Sequence, residues 1–283
     1  MTDRTIAIDG VVVPRFLYGT AWKEEATERL TRLALEQGFR GIDTANQRRH
    51  YDEAAVGRAV SAAISTGLVT RGDLFLQTKF TFRRGQDHRL PYDPAAPVEL
   101  QVEQSLASSL AHFGADVIDS FILHGPSVRT GLGADDWAAW RAMERMHDSG
   151  RVRLLGVSNV SLGQIPLLVR EARVRPRFVQ NRCYASLGWD RAIREFCAAH
   201  DIVYQGFSLL TANREALAHP DMARIAGRHG RTASQIVFRF ALEVGMIPLT
   251  GTSNPQHMRE DLEVFEFGLE PADVRQIENL LVN

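Results

Sequence analysis

Short apolar runs alternate along this chain with longer segments in which apolar residues recur three or four positions apart. The runs have the length and composition of buried β-strands, and the segments between them have the period of amphipathic helices. The predicted strands span 16–20, 41–44, 74–79, 117–124, 154–158, 178–181, 202–207 and 246–249, and the predicted helices span 24–37, 53–64, 98–112, 136–148, 162–172, 190–200 and 232–243. This alternation predicts βαβ units and a parallel sheet.

Eight strands of this kind favour a closed (β/α)8 TIM barrel, an α/β fold. A doubly wound open sheet usually has about five or six strands and a glycine-rich first turn, and this sequence has no G-x-G-x-x-G pattern. The runs 5–8 and 11–13 flank Asp9-Gly10, which predicts a β-hairpin that closes the barrel floor. Because no linker or repeat interrupts the pattern, we expect residues 1–283 to form a single domain.

Charge and cysteine content argue against several classes of function. Lysine and arginine number 33 against 34 aspartates and glutamates, so no excess of positive charge is available for nucleic acid or anionic lipid. The two cysteines, Cys183 and Cys197, cannot form a disulfide framework, and neither they nor the nine histidines have metal-ligand spacing. No run approaches the roughly 20 apolar residues of a membrane span. With no signal-peptide pattern either, we expect a cytoplasmic protein without a metal site.

Polar side chains end three of the predicted strands. Asp43, Lys79 and His124 close the second, third and fourth strands, and Tyr51 lies in the loop after Asp43. In a parallel barrel these strand ends meet at one mouth, where active sites are built. A phenol beside an ammonium group can transfer a proton near neutral pH, because the cation lowers the pKa of the phenol. Each residue also has a structural interpretation: Asp43 as a turn cap, Lys79 as a solvated side chain and His124 as a core residue.

Several motifs carrying these residues resemble those of the aldo-keto reductases, and the resemblance runs nearly end to end. The matching motifs are Gly19-Thr20-Ala21-Trp22, GFRGIDTA at 38–45, LQTK at 76–79, IDSFILHGP at 118–126 and GRVRLLGVSN at 150–159. The resemblance implies NAD(P)H-dependent reduction of an aldehyde or ketone to an alcohol. It places Asp43, Tyr51, Lys79 and His124 in the catalytic tetrad, with Tyr51 as the general acid.

One departure from the family concerns the spacing of the acid. The family tyrosine usually lies closer to the aspartate, whereas residues 46–50 separate Tyr51 from the Asp43 motif here. The segment Tyr51-Asp52-Glu53 matches the family pattern at the start of the next helix, so Tyr51 is preferred over Tyr18 and Tyr92 as the acid.

The resemblance also implies a cofactor site for NADPH, with NADH as the alternative carrier. The positions it assigns to the cofactor are Gly19, Thr20, Ser158, Asn159, Gln180, Phe207, Ser208, Leu210, Gly251, Thr252, Ser253, His257 and Asp261. TIM barrels commonly bind phosphate in the loops after strands seven and eight. The assigned residues from Ser208 onward follow these two predicted strands. Gly251 and His257 stand where NADPH-preferring relatives often have a lysine and an arginine, so the contact to the 2′-phosphate is altered in this chain.

The expected substrate is a small carbonyl compound, with Trp22, Phe80 and Gly125 lining its pocket. Gly125 replaces a tryptophan that many relatives have, which predicts a roomy entrance. Arginines in the loops that flank the mouth, at 48, 49, 83 and 84, would suit an anionic group on the substrate.

Two alternatives use the same fold. Some members of the family are regulatory subunits that keep the barrel and nucleotide, and an unrelated phosphate-binding barrel such as an isomerase would work without nicotinamide. Relatives are mostly monomers or small homo-oligomers, and we expect the same of this chain.

Overall fold

The computed structural model describes residues 3–282, and eight of its strands form a closed parallel barrel. The strands are β1 (Thr5–Ile8), β2 (Val11–Pro14), β3 (Leu17–Gly19), β4 (Gly41–Asp43), β5 (Phe75–Phe80), β6 (Ile118–Leu123), β7 (Val152–Ser158), β8 (Phe178–Arg182), β9 (Val203–Phe207) and β10 (Ile247–Thr250). Strands β3 to β10 pair in chain order, and β10 closes the barrel against β3. The (β/α)8 prediction is confirmed.

The barrel is surrounded by helices that connect successive strands. They are α1 (Thr27–Gln37), α2 (Glu53–Ser65), α3 (Val98–Phe113), α4 (Ala134–Asp148), α5 (Ile165–Glu171), α6 (Arg191–Ala198), α7 (Arg214–Ala218), α8 (Pro220–His229), α9 (Ala233–Glu243), α10 (Pro255–Leu262) and α11 (Pro271–Glu278), with 3-10 turns at Glu24–Ala26, Arg71–Asp73, Arg83–Gly85, Ala185–Asp190 and Glu263–Phe265. Helices α7, α8, α10 and α11 lie outside the seven predicted helical segments. No helix within residues 3–282 has both the length and the apolar composition of a membrane span.

Strands β1 and β2 form the predicted hairpin, which covers the lower end of the barrel. Asp9 and Gly10 have φ of 48° and 78°, the left-handed conformation that a tight hairpin turn requires. Ile8, Val11 and Val13 are buried in one cluster with interior side chains of the barrel strands, Phe75 among them. The hairpin therefore closes the floor with an apolar plug.

Above this plug the barrel interior becomes polar, and strand β5 shows why. Successive side chains of a strand point to opposite faces. Phe75 packs on the hairpin cluster, whereas Leu76 and Phe80 pack in the outer core against the helices. Gln77 lies inside, where its Nε2 donates to Oε1 of Gln205 at 2.8 Å. The same alternation brings Lys79 to the interior at the carboxyl end.

Candidate active site

Asp43 and Lys79 form a buried ion pair on neighbouring strands. Nζ of Lys79 lies 2.7 Å from both carboxylate oxygens of Asp43, and it donates to the backbone oxygen of Thr44 at 2.8 Å. The amides of Gln77 and Gln180 also donate to Oδ1 of Asp43, at 2.7 and 3.0 Å. Burial lowers the pKa of Lys79, while the carboxylate of Asp43 opposes this shift. The ammonium is thus held in one place by several acceptors.

Tyr51 lies beside this ion pair, although its loop is longer than in the family pattern. Nζ of Lys79 is 5.5 Å from the centroid of the Tyr51 ring, and the ring centroid of His124 is 6.0 Å away. The backbone N–H of Tyr51 donates to Gln47 O at 3.0 Å. Asp52 follows as the N-cap of α2, accepting from Ala55 N at 3.1 Å. The turn from Gln47 to Tyr51 and the start of α2 together place the phenol of Tyr51 at the barrel mouth.

The direction of the pKa shift at Tyr51 corrects one expectation. We expected the ammonium of Lys79 to lower the pKa of the phenol. In the structure, burial raises the pKa of Tyr51 well above its ordinary value, and the nearby Asp43 carboxylate raises it further. The ammonium of Lys79 does not lower the pKa of Tyr51 overall, because burial disfavours the charged phenolate and the Asp43 carboxylate offsets the charge of the ammonium. The phenol therefore keeps its proton, as a general acid must before it reacts.

His124 directly follows β6 and completes the tetrad, the name used below for Asp43, Tyr51, Lys79 and His124. Its Nδ1 lies 2.6 Å from Oγ1 of Thr81. Burial, and then the charge of Lys79, lower the pKa of His124 to about 3. The imidazole is therefore neutral at physiological pH and has one N–H to donate.

A larger cavity, of about 780 Å³, extends from the tetrad along the ends of β7 to β10. Ten of the residues predicted to hold the cofactor line it, namely Gly19, Ser158, Gln180, Phe207, Ser208, Leu210, Gly251, Thr252, His257 and Asp261. Asp43, Tyr51 and His124 line its inner end. Many of the residues that form the walls of this cavity were therefore predicted from the sequence.

Three other predicted cofactor residues lie outside the walls of the larger cavity. Thr20 is fully buried and donates to the backbone oxygen of Asp43 at 3.1 Å. Asn159 lines the neighbouring cavity, and its Nδ2 donates to His124 O at 2.8 Å. Ser253 is an exposed residue of the loop after β10. Thr20 and Asn159 thus support tetrad strands, and the cofactor contacts of these three residues stay predictions.

The polar groups of the larger cavity fit a nicotinamide dinucleotide. Gln180 uses its Nε2 on Asp43 and Gln205, which leaves its carbonyl oxygen for an amide. At the far end, Oδ2 of Asp261 is buried without a hydrogen-bond partner among the described residues, and burial raises the pKa of this carboxyl to about 7. A buried unpartnered acceptor at this position suits a ligand that brings a donor.

A smaller cavity, of about 560 Å³, adjoins the tetrad on the other side. Its walls include Gln47, Thr81, Phe82, Arg84, Gly125 and Arg129, and no Asp or Glu is among the described residues that line it. His50 and His124 line both cavities, so the two meet at the tetrad. Trp22, 69% exposed, lines the larger cavity and packs against His50 with ring centroids 3.9 Å apart and ring planes tilted by 34°. This arrangement suits a substrate beside a cofactor.

Phe80 requires a correction. It was expected to line the substrate pocket, but it is fully buried and packs against Phe82 and Tyr92, with ring centroids 5.2 and 5.7 Å apart. Lys79 points into the barrel, so the next residue on the strand must point out. The substrate contact proposed for Phe80 is therefore withdrawn, and Phe82 lines the cavity instead.

Several residues that line the cavities or support the tetrad were not predicted from the sequence. They are Lys23, Gln47, His50, Gln77, Thr81 and Arg129. One of these had a signal in the sequence, because the alternation that places Lys79 inside also places Gln77 on its side of β5. The others depend on how loops fold over the mouth.

Comparisons with known proteins agree with this geometry. Residues 17–282 match the model of the Aldo/keto reductase family. The chain is 29% identical to Aldo-keto reductase family 1 member C1 of Macaca fuscata fuscata, over 96% of this chain and 89% of that protein. It is 30% identical to an aldo-keto reductase of Mycobacterium avium, over 91% and 82%.

Solved structures show the same likeness. An aldo/keto reductase from Brucella melitensis superposes with a TM-score of 0.83 at 26% identity, covering 99% of this chain and all of that one. An aldo-keto reductase of Bombyx mori in complex with NADP superposes with a TM-score of 0.84 at 25% identity, covering 100% and 94%.

Proposed function

Because this chain belongs to the aldo/keto reductase family, we propose that it is an NAD(P)H-dependent oxidoreductase that reduces aldehydes or ketones to alcohols, with Tyr51 as the general acid. One observation carries the proposal. The ring of Tyr51 lies beside Lys79 and His124. At this point the larger cavity, whose polar groups fit a dinucleotide, meets the smaller cavity. A carbonyl that accepts a hydride must lie next to both the hydride donor and the proton donor, and the junction of the two cavities allows this.

The cofactor, when bound, supplies the hydride that no side chain of the tetrad can donate. Ser158 and Gln180 would hold the nicotinamide amide, and Phe207 would stack against the ring. NADPH is proposed over NADH. The Bombyx mori neighbour is a complex with NADP, and Thr252 and His257 line the far end of the larger cavity, where they would contact the 2′-phosphate.

The side chains of the tetrad have distinct tasks in the proposed reaction. The hydroxyl of Tyr51 donates its proton to the carbonyl oxygen as negative charge develops there. Lys79 stabilises the resulting phenolate, and Asp43 holds Lys79 in place. The neutral His124 donates a hydrogen bond to the same oxygen. A phenol with a raised pKa can still act, because an alkoxide is a stronger base than a phenolate.

The proposed substrate is a small carbonyl compound that carries an anionic group. Of the arginines singled out from the sequence, Arg84 lines the smaller cavity, whereas Arg48 pairs with Asp52 at 2.6 Å. Arg129 is a second cation in the cavity wall. Two guanidinium groups near the substrate would favour a carboxylate or phosphate.

The alternative is a regulatory subunit that binds the same nucleotide with little turnover. Purified protein mixed with NADPH and 4-nitrobenzaldehyde distinguishes the two, by the loss of cofactor absorbance. The reductase predicts steady turnover and formation of 4-nitrobenzyl alcohol. Tight binding of NADPH, measured by fluorescence titration, without turnover of aliphatic, aromatic or acidic aldehydes would contradict the proposal and favour the regulatory role.

A further inference from the structure

Thr81 contacts one of the two ring nitrogens of His124. Its Oγ1 lies 2.6 Å from Nδ1 of His124. This leaves Nε2 as the ring nitrogen available to a carbonyl oxygen. Which of the two nitrogens carries the proton then decides whether His124 can donate a hydrogen bond to the substrate.

The surroundings hold Thr81 in this position. Thr81 directly follows β5, and the residue is 7% exposed. Its backbone oxygen accepts from the hydroxyl of Tyr92 at 2.8 Å. A Cβ at Gly85 would lie 2.7 Å from Cγ2 of Thr81, so the missing side chain of Gly85 makes room for this methyl group. These contacts hold the backbone and the methyl group of Thr81 on either side of the hydroxyl that faces the imidazole.

The hydrogen-bonding capacity of the hydroxyl indicates the direction of the bond. Within residues 3–282, Oγ1 of Thr81 has Nδ1 of His124 as its hydrogen-bond partner and no other. If Nδ1–H were the donor, the hydroxyl hydrogen would have no acceptor among residues 3–282. If the hydroxyl is the donor, its hydrogen is used, and Nδ1 serves as the acceptor. The second arrangement is therefore favoured.

We propose that the hydroxyl of Thr81 donates to Nδ1 of His124 and so holds the imidazole in the tautomer with its proton on Nε2, ready to donate to the substrate carbonyl. Thr81 is then a positioning residue that acts through His124. The proposal rests on the proposed reductase function for its effect on turnover, but the tautomer itself is a property of the protein without ligands.

Two substitutions separate the hydroxyl from the packing of Thr81. Thr81→Val keeps the branched shape and removes the donor, whereas Thr81→Ser keeps the donor and removes the methyl group. The tautomer is read in the ligand-free protein from the ¹⁵N chemical shifts of the His124 ring, assigned by the signal lost in His124→Gln. Single-turnover reduction of 4-nitrobenzaldehyde by bound NADPH measures the chemical step, and fluorescence titration measures the Kd of NADPH.

We expect Thr81→Val to populate the tautomer with the proton on Nδ1 and to slow the single turnover roughly 10- to 100-fold. The Kd of NADPH should stay within about twofold, since Thr81 lines the other cavity. Thr81→Ser should keep the wild-type tautomer and most of the rate, because the positioning group is the hydroxyl.

Two results would overturn the inference. One is an unchanged ¹⁵N pattern and rate in Thr81→Val, and the other is an equal loss of rate in Thr81→Val and Thr81→Ser, which indicates packing alone. If the wild-type protein binds NADPH but reduces no aldehyde, the proposed function fails, and the ¹⁵N shifts still decide the tautomer. The two failures are therefore distinguishable.

Discussion

The ammonium nitrogen of Lys79 lies 5.5 Å from the centre of the Tyr51 ring. Tyr51 keeps this position although its loop is longer than in the family pattern. His50, the preceding residue, packs against Trp22 with ring centroids 3.9 Å apart and lines both cavities. The loop thus contributes His50 to the walls of the cavities and holds the phenol of Tyr51 beside Lys79.

The first prediction concerns Tyr51 as the general acid. Tyr51→Phe keeps the ring but removes the proton donor, so carbonyl reduction should fall by at least about 10²-fold. The Kd of NADPH should change little, because the cofactor contacts remain. Steady-state kinetics with an aromatic aldehyde and fluorescence titration measure the two quantities.

A matched control is Tyr204→Phe. The hydroxyl of Tyr204 donates to Asp190 at 2.7 Å, and Tyr204 lines neither of the two cavities. This variant should keep its activity. Full carbonyl reduction by Tyr51→Phe would refute the assignment of the acid.

The second prediction concerns the pH dependence of stability at Asp261. Its pKa in the folded protein is raised from 3.8 to about 7, so the folded state binds a proton more tightly than the unfolded state. Stability from this group is therefore full below about pH 4 and is lost as the pH rises toward 7. Asn does not titrate, so Asp261→Asn should be more stable than the wild type at pH 8, by at least about 1 kcal/mol.

Urea unfolding of the cofactor-free protein between pH 4 and pH 8 tests this. The difference between the two proteins should shrink toward pH 4. Asp116→Asn, at an exposed position, serves as the control and should show no such trend. A gain in stability that is the same at every pH would mean that titration of Asp261 is not its cause.

The third prediction concerns the choice between the two nicotinamide carriers. If Thr252 and His257 contact the 2′-phosphate, Thr252→Ala and His257→Ala should each weaken NADPH binding roughly tenfold, about the free energy of one hydrogen bond to a charged group. NADH lacks this phosphate, so its Kd should be nearly unchanged and serves as the internal control. Equal losses for both carriers would argue against any contact to the 2′-phosphate.

The fourth prediction concerns the anionic group of the substrate. The wild type should have a higher kcat/KM for 4-carboxybenzaldehyde than for benzaldehyde, because guanidinium groups line the smaller cavity. Arg129→Gln should reduce this preference roughly tenfold, mainly through KM, while benzaldehyde turnover stays the same.

Arg175→Gln, just before the amino end of β8, is the matched control and should leave the preference intact. Equal turnover of the two aldehydes by the wild-type protein would remove the anionic-substrate proposal, without affecting the assignment of Tyr51.

Much of the fold and site could be predicted because both depend on short-range patterns. The alternation of apolar runs with amphipathic segments determines a parallel barrel, since each run must be buried on both faces. In such a barrel, polar residues at strand ends must meet at one mouth, and Asp43, Lys79 and His124 do so. The hairpin at Asp9-Gly10 follows from the positive φ that its turn needs.

The sequence by itself therefore determined the barrel, its floor and the strand ends that carry the tetrad. The tertiary structure alone decided the direction of the pKa shift at Tyr51, because the pKa of a group depends on burial and on charges brought near it by other strands. It also decided that Phe80 packs outward while Thr81 reaches His124, and that Arg129 joins the cavity wall. Side-chain direction at a strand end and the path of a loop depend on long-range packing, which a local pattern does not contain.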